Sequence, residues 1–349
     1  MKLTFITNKI TGRGGTETVL VKALNNLVEN GNDIRLVLSN MTPDKEWLHK
    51  LNPSIKVIYP KNSSRLNRLA YFIKIFLMSP KDTNYIILSP NIIKLFAKLR
   101  KVTHKNCKLI SWFHFSIANQ MDYDPHNIVF ADYHLAISSP IKQQMIDLGI
   151  ASQRIFLIYN PAEHHQLLDI QENSSKKHLL YVGRVQLTGQ KNLEELLRAV
   201  SLTNSSVVLD VYGGGEDESQ CKELAEKLEI KDRVKWHGWT ENIWSSLAYQ
   251  PFALILTSHF EGLPMVFLEA MSRGIPCLSA DFDGFTDVVV DGINGEVYHR
   301  GNIKECAKKI NKMSQTEYNK VAIQNSISKF YEERYFENLR NVLKKITDY

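Results

Sequence analysis

The stretch FALILTSHFEGLPMVFLEAMSRGIPCLSAD, residues 252–281, decides the fold. Residues 252–257 are apolar or β-branched throughout and read as a buried strand. A loop follows from Ser258 to Leu263. Pro264 then opens a helix over 264–273, where its fixed φ and missing N–H do no harm, and Gly274 lies just past the end. Residues 276–280 read as the next strand. Strand, helix and strand in this order make a parallel unit, and the same alternation runs along the rest of the chain, so the fold class is α/β with parallel sheets. Upstream, 178–182 is a strand leading into Gly183, 192–201 is a helix capped by Asn192 with Glu194 and Glu195 in its first turn, and 207–212 is a strand ending in Gly213, Gly214 and Gly215. Residues 217–228 read as helix and 233–236 as strand. The N-terminal part repeats the theme: strand 3–7, a glycine-rich turn, helix 16–29 and strand 34–38, with later strands at 55–58, 85–88, 108–112 and 133–137. The polar segment 162–177 separates the two halves. Residues 319–347 read as one long terminal helix, with Ile323, Ile327, Phe330 and Tyr331 at helical spacing.

A chain of 349 residues exceeds the roughly 250–300 that one core serves, so two domains are expected. They are placed at 1–165 and 166–330, with a last helix over 330–349 packing back on the first. Composition is that of globular domains, with 44% apolar and 23% charged residues. The net charge of +6 is modest, but its distribution is uneven. Between Lys61 and Ile110 stand eleven Lys or Arg against one acid, Asp82, with Tyr71, Phe72, Ile75, Phe76, Leu77 and Phe96 interleaved. Such a face suits an anionic membrane surface or a phosphorylated glycolipid. No recognition motif accompanies the charge, so nucleic acid is not expected. Cys107, Cys221, Cys277 and Cys306 show neither C-x-x-C spacing nor a histidine cluster, which points to reduced thiols and a cytoplasmic location. The N-terminus has no signal-peptide pattern, and no uncharged apolar run reaches the 18 residues of a membrane span.

Four motifs carry the chemistry. Gly12 to Glu17 (GRGGTE) joins the first strand to the first helix, where glycines let backbone approach a ligand. It lacks the third glycine of a dinucleotide fingerprint. Gly183-Arg184 and Gly189-Gln190-Lys191-Asn192 place two cations at the C-terminal edge of a strand, where ligands bind in open parallel sheets. Together they can neutralise a diphosphate. In Ser258 to Ala270, Glu261 sits in the loop and Glu269 on the helix, about 80° apart if both were helical, so the two acids do different work. The neighbours Phe267, Leu268, Ala270 and Met271 look buried, and a carboxylate among them needs a partner. His114 follows a strand in SWFHFS, residues 111–116. Two D-x-D strings, Asp122-Tyr123-Asp124 and Asp281-Phe282-Asp283, have the residue types of a divalent-metal site. With Arg184 and Lys191 present, no metal is expected.

Taken together, GGTE (14–17), SWFHFS (111–116), ADYHLAISS (131–139), YVGR…GQK (181–191), YGGGED (212–217), HGW (237–239) and the 258–281 stretch resemble the family 4 retaining glycosyltransferases. The resemblance implies the GT-B fold, two Rossmann-like domains with parallel sheets facing across a cleft, the first taking the acceptor and the second the nucleotide. It implies a UDP-sugar donor, a hexose (galactose or glucose) as the transferred group and a lipopolysaccharide-type, other glycolipid or polysaccharide acceptor, with no cofactor and no metal. Roles carried over are Arg184 and Lys191 on the diphosphate, Glu269 on the ribose, and Glu261, Gly262 and Leu263 on the donor hexose. His114 would lie near the sugar's 6-hydroxyl, Gly14 and Gly15 would close on the donor, and Gly183, Gly213, Gly214, His237 and Trp239 would line the nucleotide. One departure from the pattern is that Gln190 intervenes between Gly189 and Lys191. The rival readings are a transferase using a UDP-N-acetylhexosamine for capsule or teichoic acid, a non-catalytic sugar-nucleotide-binding subunit, and a nicotinamide-dependent oxidoreductase. The broken glycine fingerprint speaks against the last.

Overall fold

The computed structural model describes residues 1–7, 10, 15–40, 42–60, 64–114, 116–117, 124–170 and 175–347. The chain divides into two compact units, one of Met1–Pro161 with Glu332–Tyr349 and the other of Ala162–Tyr331.

The first unit holds strands β1 (Lys2–Ile6), β2 (Asp33–Val37), β3 (Lys56–Ile58), β4 (Asn84–Ile87), β5 (Leu109–Phe113), β6 (Tyr133–Ala136) and β7 (Ile155–Leu157), with helices α1 (Gly15–Glu29), α2 (Arg65–Met78), α3 (Pro90–Thr103) and α4 (Ser139–Asp147) between them. The sheet order is β3-β2-β1-β4-β5-β6-β7, and every pairing is parallel. Parallel strands covered on both faces read as continuous apolar runs, and β5 is buried at all five positions. Phe76 of α2, Tyr85 of β4 and Phe96 of α3 form an aromatic cluster with ring centroids 5.0–5.5 Å apart.

The second unit holds β8 (Lys177–Val182), α5 (Leu193–Ser201), β9 (Val207–Tyr212), α6 (Glu218–Lys227), β10 (Val234–Gly238), α7 (Ile243–Ser246), β11 (Pro251–Leu256), α8 (Met265–Met271), β12 (Cys277–Ala280), β13 (Gly295–Tyr298), α9 (Ile303–Met313) and α10 (Lys320–Ser326). Its sheet runs β10-β9-β8-β11-β12-β13, again all parallel. Each unit is thus Rossmann-like, as GT-B requires, and each sheet reverses its strand order once, at β1/β4 and at β8/β11. Ligands in such sheets bind beyond the carboxyl ends of the strands at that reversal. The chain then returns to the first unit as α11 (Glu332–Thr347), where Glu332 meets Lys22 at 2.7 Å and the Arg340 guanidinium donates to Asn26 Oδ1 at 2.8 Å.

Three local expectations need correction. The terminal helix is broken: α10 stops at Ser326, and Tyr331 is extended at φ −62°, ψ 145°. Tyr331 bridges Ala162, and its hydroxyl donates to Gln324 O at 2.9 Å. Ile323, Ile327 and Phe330 are all buried on either side of the break, so apolar spacing alone could not reveal it. Asn192 does precede α5, but with φ 49° and no capping bond. Its side-chain amide instead donates to Glu195 Oε2 at 2.6 Å. Pro264 stands one residue before α8, at its N-cap, rather than at the first helical position.

No helix among the described residues is long and apolar enough to cross a membrane. All four cysteines are buried and unpaired with one another.

Candidate active site

The switch point of the second sheet lies between β8 and β11, and the residues after these two strands converge there. Gly183 and Arg184 leave β8, while Thr257 and Ser258 leave β11. The segment Gly189–Asn192 runs between them into α5. Thr257 Oγ1 donates to the carbonyls of Lys191 and Asn192 at 3.2 and 2.9 Å, and the His259 N–H donates to Gln190 O at 2.8 Å. The backbone of the lysine loop is therefore stitched to the end of β11.

Side chains close the arrangement. The Arg184 guanidinium donates to Gln190 Oε1 at 2.7 Å. The Gln190 amide donates to Phe260 O at 3.1 Å and approaches Glu261 Oε2 at 3.5 Å. The Lys191 ammonium meets Glu261 Oε1 at 2.6 Å, and Ser258 Oγ donates to the same oxygen at 2.7 Å. Lys191 and Glu261 keep only 14% and 12% of their side-chain surface in solvent, whereas Arg184 is exposed. One wall of this patch is Tyr181, whose hydroxyl donates to Arg184 O at 2.7 Å and whose burial raises its pKa. Arg184, Lys191 and Glu261 are thus brought together with Gly183 and with Gly262 and Leu263, which follow Glu261 directly. The intervening Gln190 does not displace the lysine from the group. It links arginine to glutamate, a function that two isolated basic residues in a sequence do not announce.

A second constellation lies beside the first, where Gly183, Gly213 and Gly238 stand at the ends of β8, β9 and β10, with Asp210 and His178 further back in their strands. The Gly213 N–H donates to Gly238 O at 2.7 Å and the Gly183 N–H to Tyr212 O at 3.0 Å. At Gly213, with φ +133°, a β-carbon would stand 1.9 Å from Gly183 O, so only glycine lets the two loops touch. Asp210, buried in β9, accepts from His237 Nε2 at 2.8 Å and from His178 Nδ1 at 2.6 Å. The His237 ring stacks on Tyr212 with centroids 4.2 Å apart, and Trp239 is 64% exposed just beyond. Asp210 and His178 escaped the sequence reading because an acid inside VVLDVY and a histidine at a strand start leave no motif.

Glu269 has both the buried neighbours and the partner expected of it, but the side chain is exposed. Its neighbours Phe267, Leu268, Ala270 and Met271 are buried, but Glu269 itself faces solvent from α8. It is partnered all the same: the Trp244 indole N–H donates to Glu269 Oε2 at 3.4 Å, and the Arg273 guanidinium covers the Trp244 ring at 4.4 Å. Arg273 also donates to Glu269 O at 2.8 Å.

The remaining candidates belong to the first unit. His114 follows β5 and is 8% exposed, with its ring centroid 4.6 Å from that of Trp112. Burial pushes its pKa down to about 3, so the imidazole is neutral at physiological pH. Among the described residues its Nε2 is buried without a hydrogen-bond partner. Gly15 is the first residue of α1, whereas Gly12 to Gly14, with Asp122 and Tyr123 of the first D-x-D string, lie outside the described residues. Asp281 Oδ1 accepts from the Arg300 N–H at 2.8 Å. Among the described residues no group of three or more His, Cys, Asp or Glu could hold a metal ion.

Residues 166–329, nearly the whole second unit, match the family described as glycosyl transferases group 1. Over 98% of both chains, the protein is 32% identical to the lipopolysaccharide 1,6-galactosyltransferase of Salmonella typhimurium and 34% identical to that of Escherichia coli K12. The apo structure of the lipopolysaccharide outer core galactosyltransferase WaaB superposes with a TM-score of 0.87 at 32% identity, covering 99% of this chain and 100% of that one. The Anabaena protein HepE, solved with UDP-glucose, shares the fold at a TM-score of 0.81 and 17% identity. With full-length relatives at this identity and two Rossmann-like units of its own, the chain belongs to the group 1 glycosyl transferases of the GT-B type, the family that includes the lipopolysaccharide 1,6-galactosyltransferases.

Proposed function

We propose that the protein transfers a hexose, galactose in the first instance, from UDP to a lipopolysaccharide-type glycolipid with retention of anomeric configuration. The observation that carries this is the linked set Arg184, Gln190, Glu261 and Lys191 at the switch point of the second sheet, in a chain aligned end to end with two 1,6-galactosyltransferases. The second unit takes the donor and the first the acceptor.

The residues suit electrostatic catalysis. Arg184 and Lys191 offer two positive charges where a diphosphate must lose its sugar, and such prearranged charge is worth more than charge that has to move into place. Glu261 is a poor nucleophile here, because Lys191 and Ser258 both hold its Oε1. Its work is to accept from the donor hexose and to aim Lys191. With no free carboxylate in the group, the acceptor attacks on the face the nucleotide leaves, and the departing phosphate oxygen takes the acceptor's proton. Glu269, steadied by Trp244, accepts from the ribose hydroxyls, and His237 and Trp239 flank the base. Neutral His114 exchanges a hydrogen bond with a sugar hydroxyl. The enzyme works at the inner face of the cytoplasmic membrane, towards which the basic stretch 61–110 draws it.

The test is a panel of UDP-galactose, UDP-glucose, UDP-N-acetylglucosamine and GDP-mannose, read by thermal shift and then by UDP release with a truncated lipopolysaccharide acceptor. UDP-galactose should give the largest shift and the only rapid acceptor-dependent release, with an α-linked product by NMR. Preference for UDP-N-acetylglucosamine would move the reading to the capsule or teichoic acid enzymes. UDP binding without release would make the protein a sensor.

A further inference from the structure

Behind the ends of β9 and β10 lies a buried polar chain that takes no part in the cluster of Arg184, Lys191 and Glu261. Asp210 sits inside VVLDVY, where every other side chain is aliphatic or aromatic, and only 12% of its own side chain reaches solvent. A buried carboxylate is costly unless it is paired, and an apolar residue in its place would serve the sheet at least as well. Both of its oxygens are committed. Oδ2 accepts from His178 Nδ1 at 2.6 Å, and Oδ1 accepts from His237 Nε2 at 2.8 Å. His178 is held in turn, with 9% of its side chain exposed and its ring stacked on Tyr249 at 4.1 Å between centroids. The carboxylate is therefore kept from turning, and its second oxygen holds His237 in one orientation. Tyr212 fixes the plane of the His237 ring, parallel to within 6° at 4.2 Å, and the Tyr212 hydroxyl donates to Ser246 O at 3.4 Å.

An ionised carboxylate only accepts, so His237 carries a proton on Nε2, and in a neutral imidazole that leaves Nδ1 as an acceptor. The two ring nitrogens point in widely different directions, so an Nε2 turned to Asp210 leaves Nδ1 turned away from it. Among the described residues nothing hydrogen-bonds to Nδ1, and 35% of the His237 side chain is exposed. Trp239, two residues further along and 64% exposed, offers a flat face on which a planar ring can stack. A fixed lone pair beside such a platform selects a ring whose edge carries an N–H. Uracil carries one at N3, whereas cytosine has a lone pair at the same atom and would be repelled. We propose that His237 Nδ1 reads the N3–H of uracil, and that Asp210, locked by His178, is the positioning residue that sets the tautomer for this reading. The inference deepens the proposed function, because it rests on the nucleotide lying at this end of the second sheet. It adds that the choice of uridine is made by a histidine and a buried acid, since two cations set for a diphosphate do not distinguish one base from another.

The experiment is isothermal titration calorimetry of the full chain with UDP and with CDP at about pH 8, where an imidazole is ordinarily uncharged. Thermal melting is the folding control. Wild type should bind UDP roughly tenfold or more tighter than CDP. His237→Phe keeps a ring on Tyr212 but removes the lone pair, and should bring the two affinities to within about twofold of each other. Asp210→Ala should lower the ratio in the same way and change it no further when added to His237→Phe, whereas independent roles would add. Because these variants leave buried partners unpaired, a second measurement uses the intact protein. NMR on protein labelled with heavy nitrogen in its histidines should show His237 protonated at Nε2 alone, and only UDP should move its Nδ1 resonance towards hydrogen-bonded values. The inference is overturned if the UDP preference survives in His237→Phe, if wild type binds CDP as tightly as UDP, or if His237 carries its proton on Nδ1. Transfer from UDP-galactose, measured in the same preparations, separates the two claims. Transfer with a UDP preference that ignores His237 sinks the base reading alone, and a His237-dependent preference without transfer sinks the proposed reaction alone.

Discussion

The Lys191–Glu261 pair should couple strongly in stability and not at all in rescue of activity. The two charges meet at 2.6 Å with only 14% and 12% of their side chains exposed, and Ser258 donates to the shared oxygen. Removing one partner leaves the other charge in a poorly solvated place, which costs about 3–5 kcal/mol for a buried pair, and the residual exposure argues for about 3. Lys191→Met and Glu261→Gln should therefore each destabilise the second unit by about that much. The double variant removes both charges and keeps similar volume, so it should lose only about as much as one single, a coupling of about 3 kcal/mol. Catalysis should not follow. Lys191→Met loses charge stabilisation of the leaving diphosphate and should slow transfer by roughly 10²–10³, and the double should be no faster. Because the two units need not unfold together, stability is best read by hydrogen exchange under urea, comparing peptides from β8–β11 with peptides from β1–β5 as an internal reference. Two outcomes would contradict these roles for the pair. If the two losses simply add in the double, the pair carries no buried charge of consequence. If the double variant regains turnover, Lys191 acts through Glu261 rather than on the diphosphate.

Other predictions follow from the same geometry. Arg184→Ala should also slow transfer roughly 10²–10³ with little change in melting temperature, since the side chain is exposed. Gln190→Ala removes the acceptor that holds Arg184 and should lower kcat about tenfold while leaving donor KM nearly unchanged, as steady-state kinetics will show. Trp244→Phe keeps the ring under Arg273 but loses the N–H to Glu269. It should raise donor KM about fivefold and narrow the preference for UDP over 2′-deoxy-UDP in competition assays. Burial pushes the pKa of His114 and of His134 down to about 3 in the folded chain, against about 6.5 when unfolded. The unfolded chain therefore binds protons first as pH falls, and stability is lost from about pH 6.5 downward towards pH 3, about 2 kcal/mol per histidine by pH 5. Urea titrations of the first unit should show this slope, and His134→Gln should flatten it by about half.

The parallel sheets were legible because buried parallel strands are apolar without alternation, and 252–257 or 207–212 have almost no other way to be read. The cluster of Arg184, Lys191 and Glu261 was legible for a related reason. Arg184 and Glu261 each stand one or a few residues past a strand, and strands adjacent at a switch point bring such positions together however far apart they lie in the chain. What was lost needs three dimensions. Gln190 reads as an interruption because an amide has no charge to count, yet its two ends suit a guanidinium on one side and a carbonyl on the other. The break at Tyr331 was hidden because the same helical spacing served α10 and the turn after it, while the bridge to Ala162 lies far off in sequence.

These misses share a physical cause that bears on specificity. The residues that hold charge are few, and two cations set for a diphosphate would serve many different sugar donors, so they point to a reaction class and not to one sugar. The residues that aim those charges are neutral or aromatic: Gln190 for Arg184, Ser258 for Glu261, Trp244 for Glu269. A neutral donor can be exchanged for another of different reach at a cost of about 1 kcal/mol, far below the cost of losing a buried charge. Positions that cheap to vary can re-aim a fixed set of charges on a different sugar. Donor choice should therefore shift more readily through substitutions at Gln190, Ser258 and Trp244 than at Arg184, Lys191 or Glu261. A saturation library at the three neutral positions, scored with UDP-galactose against UDP-glucose, should yield altered ratios among variants that keep full thermal stability. A library in which every change of ratio comes with unfolding would show that these residues hold the fold and not the aim.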